Sequence, residues 1–444
     1  MNFPVTHRAH AERRSATAAD SAAVDAARWP DVASAPRSSR ARTAVSQAVV
    51  RGALDRLPLH VRLAGGSQLG RGGPLLRIHD PEAFYRRIGV SGLVGFGESY
   101  MAGEWDAPDL VAALSVLAGH AAELIPRPLQ RLRGLWAPRH PASERNTPVG
   151  ARDNISRHYD LSNDLFTLFL DESLSYSSAV FRGFPATWRH LEAAQHAKID
   201  RLLDLAEVTS GTRLLEIGTG WGELAIRAAA RGARVTTLTL SAEQLDLARE
   251  RIRAAGSADR VSVELCDYRE ARGTYDAVVS VEMVEAVGEE FWPVYFGTLD
   301  ERLVPGGRAA LQAITMPHDR MLASRGTFTW IHKYIFPGGQ LPSVEAIEET
   351  VRDRTGLRAA RRDGFGAHYA ETLRLWRERF TERADEVDEL GFDATFRRMW
   401  TFYLAYSEAG FRAGYLDVQQ YLFTKDGPRG GSAAVPRPGG GAER

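Results

Sequence analysis

The sequence predicts an α/β protein: a largely parallel sheet covered on both faces, preceded by a mainly helical domain. Three observations predict it. From about residue 150, short apolar segments alternate with helix-length stretches, the rhythm of strands joined by crossover helices. The first such segment, Arg213 to Ile217, runs into Gly218-Thr219-Gly220-Trp221-Gly222 and then a helix-like stretch. Between about 45 and 125, apolar residues recur at near-helical spacing instead, at Val49, Leu54 and Leu57 and again at Leu110, Val111, Leu114 and Leu117.

Residues 1–44 carry many Ala, Ser and Arg and little large apolar content, and are expected to form a disordered tail. Residues 45–125 form an accessory domain with one strand-like piece, Leu75 to His79. Pro126, Pro128, Pro138, Pro141 and Pro148 punctuate a linker over 126–149. The α/β domain spans 150–425. Helices over 155–205 precede the first strand. Strands are expected at 213–217, 234–240, 261–266, 275–281 and 308–314, with helices at 221–231, 241–255 and 290–303 between them. Residues 326–415 read as inserted helix, and Val418 to Thr424 as a late strand closing the sheet edge. A minimal nucleotide fold needs neither 155–205 nor 326–415, so both are candidates for building a substrate site. Residues 426–444, with Gly and Pro repeated, read as a second disordered tail.

Composition narrows the class. The hydrophobic share is 44% and the formal net charge is zero, so nothing global speaks for a nucleic-acid partner. The single cysteine, Cys266, excludes an internal disulfide and a multi-cysteine metal site, and no metal is expected. No run of about 18 apolar residues offers a membrane-spanning helix. The polar N-terminus lacks the apolar core of a secretory signal. A cytoplasmic protein, peripheral to the inner face of the membrane, is the expected setting.

The glycine loop carries the chemistry. Its glycines permit a sharp turn and close ligand approach, and the following helix start offers free N–H groups. A dinucleotide fingerprint needs G-x-G-x-x-G and an acid about 20 residues on. Here Glu223 stands at the last glycine's place, and the next strand ends in Thr239-Leu240-Ser241 with no acid. Both departures argue against NAD and suit S-adenosylmethionine, which has no pyrophosphate. In open α/β sheets the ligand lies beyond the carboxyl ends of the strands. That places Glu285, in the run Val281-Glu282-Met283-Val284-Glu285-Ala286, and Gln312 beside the loop.

Several further runs carry a resemblance. They are GFGESYMAGEW (95–105), HYDLSNDLF (158–166), LEIGTGWGE (215–223), TLTLSAEQ (237–244), the Glu285 segment and KYIFPGG (333–339). On these the chain resembles the cyclopropane-fatty-acyl-phospholipid synthase family of S-adenosylmethionine-dependent methyltransferases, from about residue 97 to 424. Within it, HYAETLRLWRERF (368–380) and YLAYSEAGFR (403–412) are similar to the tuberculostearic-acid methyltransferases. The resemblance implies a Rossmann-like methyltransferase core. It implies that Tyr176, Ser177, Leu215, Glu216, Gly218, Gly220, Trp221, Gly222, Thr239, Leu240, Ser241, Gln244, Asp267 and Tyr268 contact the methyl donor. For Tyr176 and Trp221, packing in the core is an equal alternative.

Cyclopropane-forming relatives hold a bicarbonate ion as base through Cys, Glu, His, a backbone amide and Tyr. The resemblance places Glu285, Tyr369 and the Ile314 backbone at matching positions. Ser178 stands at the Cys position and Gln312 at the His position. A second family cysteine falls at Ser407. Bicarbonate therefore stays an open candidate. The reaction implied is methyl transfer to the double bond of an oleoyl chain in a phospholipid, giving a 10-methylene chain. A separate flavin-dependent reductase would complete the 10-methyl product. The accessory domain is implied to present lipid or to make homodimer contacts. A true cyclopropane synthase and a non-catalytic lipid-binding protein are the alternatives.

Overall fold

The computed structural model describes residues 24–120, 141, 146–147, 150–151 and 162–427. Eleven strands lie among them, in two sheets. The larger has seven strands: β5 (Arg213–Ile217), β6 (Arg234–Thr239), β7 (Val261–Leu265), β8 (Tyr275–Val281), β9 (Leu303–Thr315), β10 (Leu357–Gly364) and β11 (Asp417–Lys425). Their order is β10-β11-β9-β8-β5-β6-β7. Strands β5 to β9 pair in parallel, and β11 runs antiparallel between β9 and β10.

The alternation of side chains along each strand explains the layers. Leu214 faces the helices Leu191–Leu205 and Glu223–Ala230, through Ile199, Leu202 and Ala225. Its neighbour Leu215 faces the other way, onto a layer holding Tyr295, Phe296 and Ile347. Both faces are thus buried, as a parallel sheet requires. The five expected strands and the helices between them fall where the sequence placed them, within a few residues at their ends, except that β9 begins at Leu303; of the helices expected over 155–205, Asn163–Phe169 and Leu191–Leu205 are present and 170–187 is not helical.

Two expectations change. Val418 to Thr424 does not close the sheet edge: β11 is covered by β10, a strand within the segment read as helical insert. Strand β10 reads Leu-Arg-Ala-Ala-Arg-Arg-Asp-Gly and is exposed at most positions. An exposed edge strand with charged residues shows no apolar period.

The N-terminal unit also differs. It holds helices, chiefly Arg40–Leu54, Pro81–Ser91, Leu93–Met101 and Leu110–Gly119. It also holds a four-stranded sheet of β1 (His60–Leu63), β2 (Gln68–Leu69), β3 (Leu75–Ile78) and β4 (Trp105–Asp106), in the order β2-β1-β3-β4. The expected tail does not extend to residue 44. Val32 is 1% exposed, Trp29 Nε1 donates to Asp393 Oδ2 at 2.7 Å, and a helix starts at Arg40. Residues 1–23, 121–125, most of 126–149, residues 152–161 and residues 428–444 lie outside the described residues. Within the expected linker, Asn146 is packed, its Nδ2 donating to the Gly338 carbonyl at 2.8 Å.

The N-terminal unit and the late helices share one core. Trp105 stacks on Phe96 at 4.8 Å and meets Phe402 edge-on at 6.1 Å. Gly97 lies against the Trp330 ring, where an added Cβ would stand 2.3 Å from Cδ1. Arg398 Nε donates to the Tyr100 carbonyl at 2.7 Å. Glu98 accepts from Lys333 and Tyr334, and Glu104 from Arg87, so both acids tie the chain together.

Candidate active site

The strand ends of β5, β6 and β8 open on one cavity, and the glycine loop forms its floor. Gly218, Gly220 and Gly222 all have positive φ, at 100°, 51° and 91°. They serve different purposes. A Cβ at Gly218 would stand 2.7 Å from Met283 Cγ, and one at Gly222 would press on Ala248 at 3.3 Å. At Gly220 no protein atom lies within 4 Å of that point. The space above Gly220 is open to a ligand.

Of the residues implied for the donor, Tyr176, Ser177, Glu216, Gly218, Gly220, Trp221, Thr239, Leu240, Gln244 and Tyr268 line this cavity. Four do not. Leu215 is fully buried under the sheet. Gly222 packs against the helix Ala242–Ala254. Ser241 caps that helix, its Oγ accepting from the Gln244 N–H at 3.2 Å. Asp267 is held by Arg269, with Nε to Oδ1 at 2.8 Å and Nη2 to Oδ2 at 2.7 Å. These four shape the walls from behind. Trp221 both lines the cavity and packs: its Nε1 donates to Asn163 Oδ1 at 2.8 Å, and its ring lies 5.0 Å from that of Phe166. The Tyr176 ring sits 5.2 Å from Trp376, with its hydroxyl 2.7 Å from that of Tyr403.

The cavity wall is charged. Lys198, 2% exposed, donates from Nζ to Ser177 Oγ at 2.6 Å. Burial lowers its ammonium to about 8, against the pull of Glu282, Asp171 and Glu216. Burial raises Glu216 to about 8, and its Oε2 has no hydrogen-bond partner. A buried acceptor left open in a cavity wall is a place for a ligand's hydroxyl or ammonium. Thr239 Oγ1 donates to Gln244 Oε1 at 3.0 Å, so the amide of Gln244 is oriented at the same rim. Open space over Gly220, the Glu216 acceptor and these polar groups fit a donor with ribose hydroxyls and an amino-acid end.

Beyond the loop lies a pair of acids, and the structure changes which one is central. Glu282 directly follows β8 and lines the cavity. Its Oε1 accepts from the Ser178 N–H at 2.9 Å and from Gln312 Nε2 at 2.8 Å. Its Oε2 accepts from the Tyr369 hydroxyl at 2.8 Å. Gln312 is itself fixed by Gln420 Nε2, 3.0 Å from its Oε1. Glu285 turns away from the cavity. Its Oε1 accepts from the Ile314 N–H, and its Oε2 is buried without a partner. Burial, then repulsion from Glu282, raises Glu285 to about 8. Glu282 is raised too, by burial, but the three donors and Lys198 act to keep it ionised. Of the pair, Glu282 has the hydrogen bonds that favour a charged carboxylate.

Sequence reasoning had placed Ser178, Glu285, Gln312, Ile314 and Tyr369 around a bicarbonate ion. The structure does bring all five together, but on carboxylates of the chain itself. Ser178 Oγ donates to its neighbour's carbonyl at 3.2 Å, and two acids stand where an anion would sit. The residues present do not fit a separate bicarbonate ion. Ser407 lies on the helix Ala394–Arg412, one turn from Tyr403 and one from Phe411, whose ring is 4.6 Å from that of Tyr369. It makes no contact with the acid pair. Lys198 and Glu282 are among the cavity residues that sequence reasoning left unassigned. The signal for Glu282 was its place directly after an apolar strand.

The comparisons agree with this architecture. Residues 147–421 match the family described as mycolic acid cyclopropane synthetase. Tuberculostearic acid methyltransferase UfaA1 of Mycobacterium tuberculosis is 54% identical over 417 residues, 92% of this chain and 98% of that protein. Cyclopropane-fatty-acyl-phospholipid synthase of Escherichia coli K12 is 33% identical over 355 residues, 79% and 87% of the two chains. The crystal structure of mycolic acid cyclopropane synthase CmaA1, complexed with SAH and CTAB, superposes with a TM-score of 0.57 at 31% identity, covering 62% of this chain and 98% of that one. The chain therefore belongs to the mycolic acid cyclopropane synthetase family of methyltransferases.

Proposed function

We propose that the protein transfers a methyl group from S-adenosylmethionine to the double bond of an oleoyl chain in a membrane phospholipid and releases a 10-methylene chain. One observation carries this reading. The glycine loop and Glu282 share one cavity wall, so a methyl donor and a proton acceptor meet at one place. The relative that is 54% identical over nearly its whole length bears the name of a tuberculostearic acid methyltransferase, and supports the same choice.

The donor supplies an electrophilic methyl group. An alkene is a weak nucleophile, so the chain's task is to hold the double bond in line with that methyl in a dry pocket. The aromatic faces of Tyr176 and Trp221 line the cavity; such faces stabilise a cation by about 0.5–2 kcal/mol each. Methylation leaves a cation on the neighbouring carbon, which the same faces and the Glu282 carboxylate stabilise. A hydride shift from the methylated carbon moves the cation onto it, and loss of one methyl proton then leaves the 10-methylene group. Reduction of the methylene group then falls to a separate flavin-dependent enzyme.

The lipid must come from a membrane surface. No helix among the described residues is long and apolar enough to cross a bilayer; the reading proposed is of a protein that docks on the cytoplasmic face. Val45 and Leu93 of the N-terminal unit are exposed apolar residues suited to that contact. A cyclopropane synthase remains the second reading, favoured by the E. coli relative. The test is incubation of the full chain with radiolabelled donor and dioleoyl phospholipid vesicles. Label in the acyl chains supports methyl transfer. Donor binding without any label in lipid points to the non-catalytic alternative.

A further inference from the structure

We propose that Glu282 is the base of the reaction, an anion built into the chain at the place where the resemblance implies a bound bicarbonate. The inference rests on the methyl-transfer reading above and names the group that takes the proton.

Three observations carry it. First, Glu282 is half-buried and part of the cavity wall beside Gly218 and Trp221. Second, its donors come from three distant parts of the chain: the Ser178 amide, Gln312 on β9 and Tyr369 on the helix Gly366–Glu382. A surface acid that merely ends a strand is not given three fixed donors. Oε1 takes two of them and Oε2 takes one, so Oε2 keeps a lone pair free for a proton. Third, Glu282 is one of four described non-glycine residues with positive φ, at 52°. A backbone there favours glycine, and a larger side chain held in it is a mark of a functional position. A residue needed only for the turn would serve better as glycine.

Glu285 does not compete for the role. It does not line the cavity, and burial, an unpartnered oxygen and the neighbouring Glu282 all favour its protonated form. It is a positioning residue that fixes the Ile314 amide at the end of β9.

The step balances without a further reagent. The alkene π electrons form the new C–C bond as the S–CH3 bond breaks, and sulfur leaves with that bond's electron pair as a neutral thioether. A cation remains on the adjacent chain carbon. The hydrogen on the methylated carbon then shifts to that cation with its electron pair, which moves the positive charge to the methyl-bearing carbon; one C–H bond of the new methyl group breaks, its electrons form the C=C bond to that carbon, and its proton goes to Glu282 Oε2. The proton passes to water when the product leaves.

The test uses the full chain with S-adenosylmethionine and dioleoyl phospholipid vesicles, in buffer freed of carbon dioxide and then resupplied with bicarbonate or formate. Two variants are compared with the wild type, with donor affinity measured by calorimetry for each. Wild type is expected to turn over equally with and without bicarbonate. Glu282→Gln should lose on the order of 10²–10⁴ in turnover, the range of a positioned base, with donor affinity kept and no rescue, because the amide fills the site. Glu282→Gly, which suits the backbone, should lose as much and recover when bicarbonate or formate enters the space left. Wild-type activity that falls on bicarbonate removal overturns the assignment. So does a Glu282→Gly rate close to wild type in depleted buffer, or a loss that neither anion repairs. A wild type that methylates no lipid overturns the methyl-transfer reading itself, whereas lipid methylation indifferent to both substitutions overturns the base alone.

Discussion

Glu282 and Glu285 stand three residues apart at the end of β8, yet their surroundings are opposite. Glu282 accepts three hydrogen bonds at 2.8 to 2.9 Å, while Glu285 keeps a buried oxygen with no partner. Two carboxylates this close do not both ionise, and the better-solvated one carries the charge. A site for proton acceptance is thereby separated from a site that holds a strand end in place.

A first prediction follows for pH and stability. Glu285 is held near 8 in the folded chain against 4.5 for an ordinary glutamate. Its proton is bound more tightly in the folded state, so the stabilisation is full below about 4.5 and is lost as pH rises toward about 8. Glu285→Gln cannot ionise and should gain stability relative to wild type across that window. Urea denaturation at both ends of the window reads it. A difference that stays flat with pH would show that Glu285 is ionised in the fold.

Lys198 lowers both Glu282 and Glu216 by its charge. Replacing it by Met should raise both acids. Turnover needs Glu282 ionised, so it falls as pH drops through that group's pKa. In Lys198→Met this acid limb should move to higher pH, and donor affinity should weaken as Ser177 loses its partner. An unmoved acid limb would show that Lys198 does not act on the base.

Gly220→Val should abolish measurable donor binding, since the new side chain enters the open space above the loop. Gly211→Ala is the control. Gly211 also has positive φ, at 84°, and open space around it, but it lies outside the cavity. It should cost about 1–2 kcal/mol of stability and leave donor affinity unchanged. Calorimetry with donor distinguishes the two, and wild-type affinity in Gly220→Val would contradict the placement.

The N-terminal unit and the late helices should unfold together. Trp330 packs between Gly97, Met101 and Phe402. Trp330→Ala should therefore cost about 3–5 kcal/mol while keeping a single urea transition. Two separate transitions, in wild type or variant, would show that the units fold independently. A fragment starting near residue 148 would expose this core, so lipid docking is better tested by charges at Val45 and Leu93 in the intact chain.

Sequence pattern reached the sheet because its strands are apolar on both faces and its glycine loop needs positive φ at fixed spacing. It missed β10 because an exposed, arginine-bearing edge strand has no period to read. In the N-terminal unit it found β3, as the strand-like piece Leu75 to His79, and missed β1, β2 and β4, which are two to four residues long. For the site, it gathered Ser178, Gln312, Ile314 and Tyr369, but expected them to surround an ion. That Ser178, Gln312 and Tyr369 meet Glu282, while Ile314 meets Glu285, depends on a left-handed backbone turn and on donors spread from residue 178 to 369, neither of which a local motif displays.

The most direct measurement is proton NMR of the acyl chain after the full protein has acted on dioleoyl phospholipid vesicles with S-adenosylmethionine and no reductase. The account predicts exomethylene signals on carbon 10, formed with or without added bicarbonate. Cyclopropane ring signals as the dominant modification, or an unmodified oleoyl chain, would contradict it.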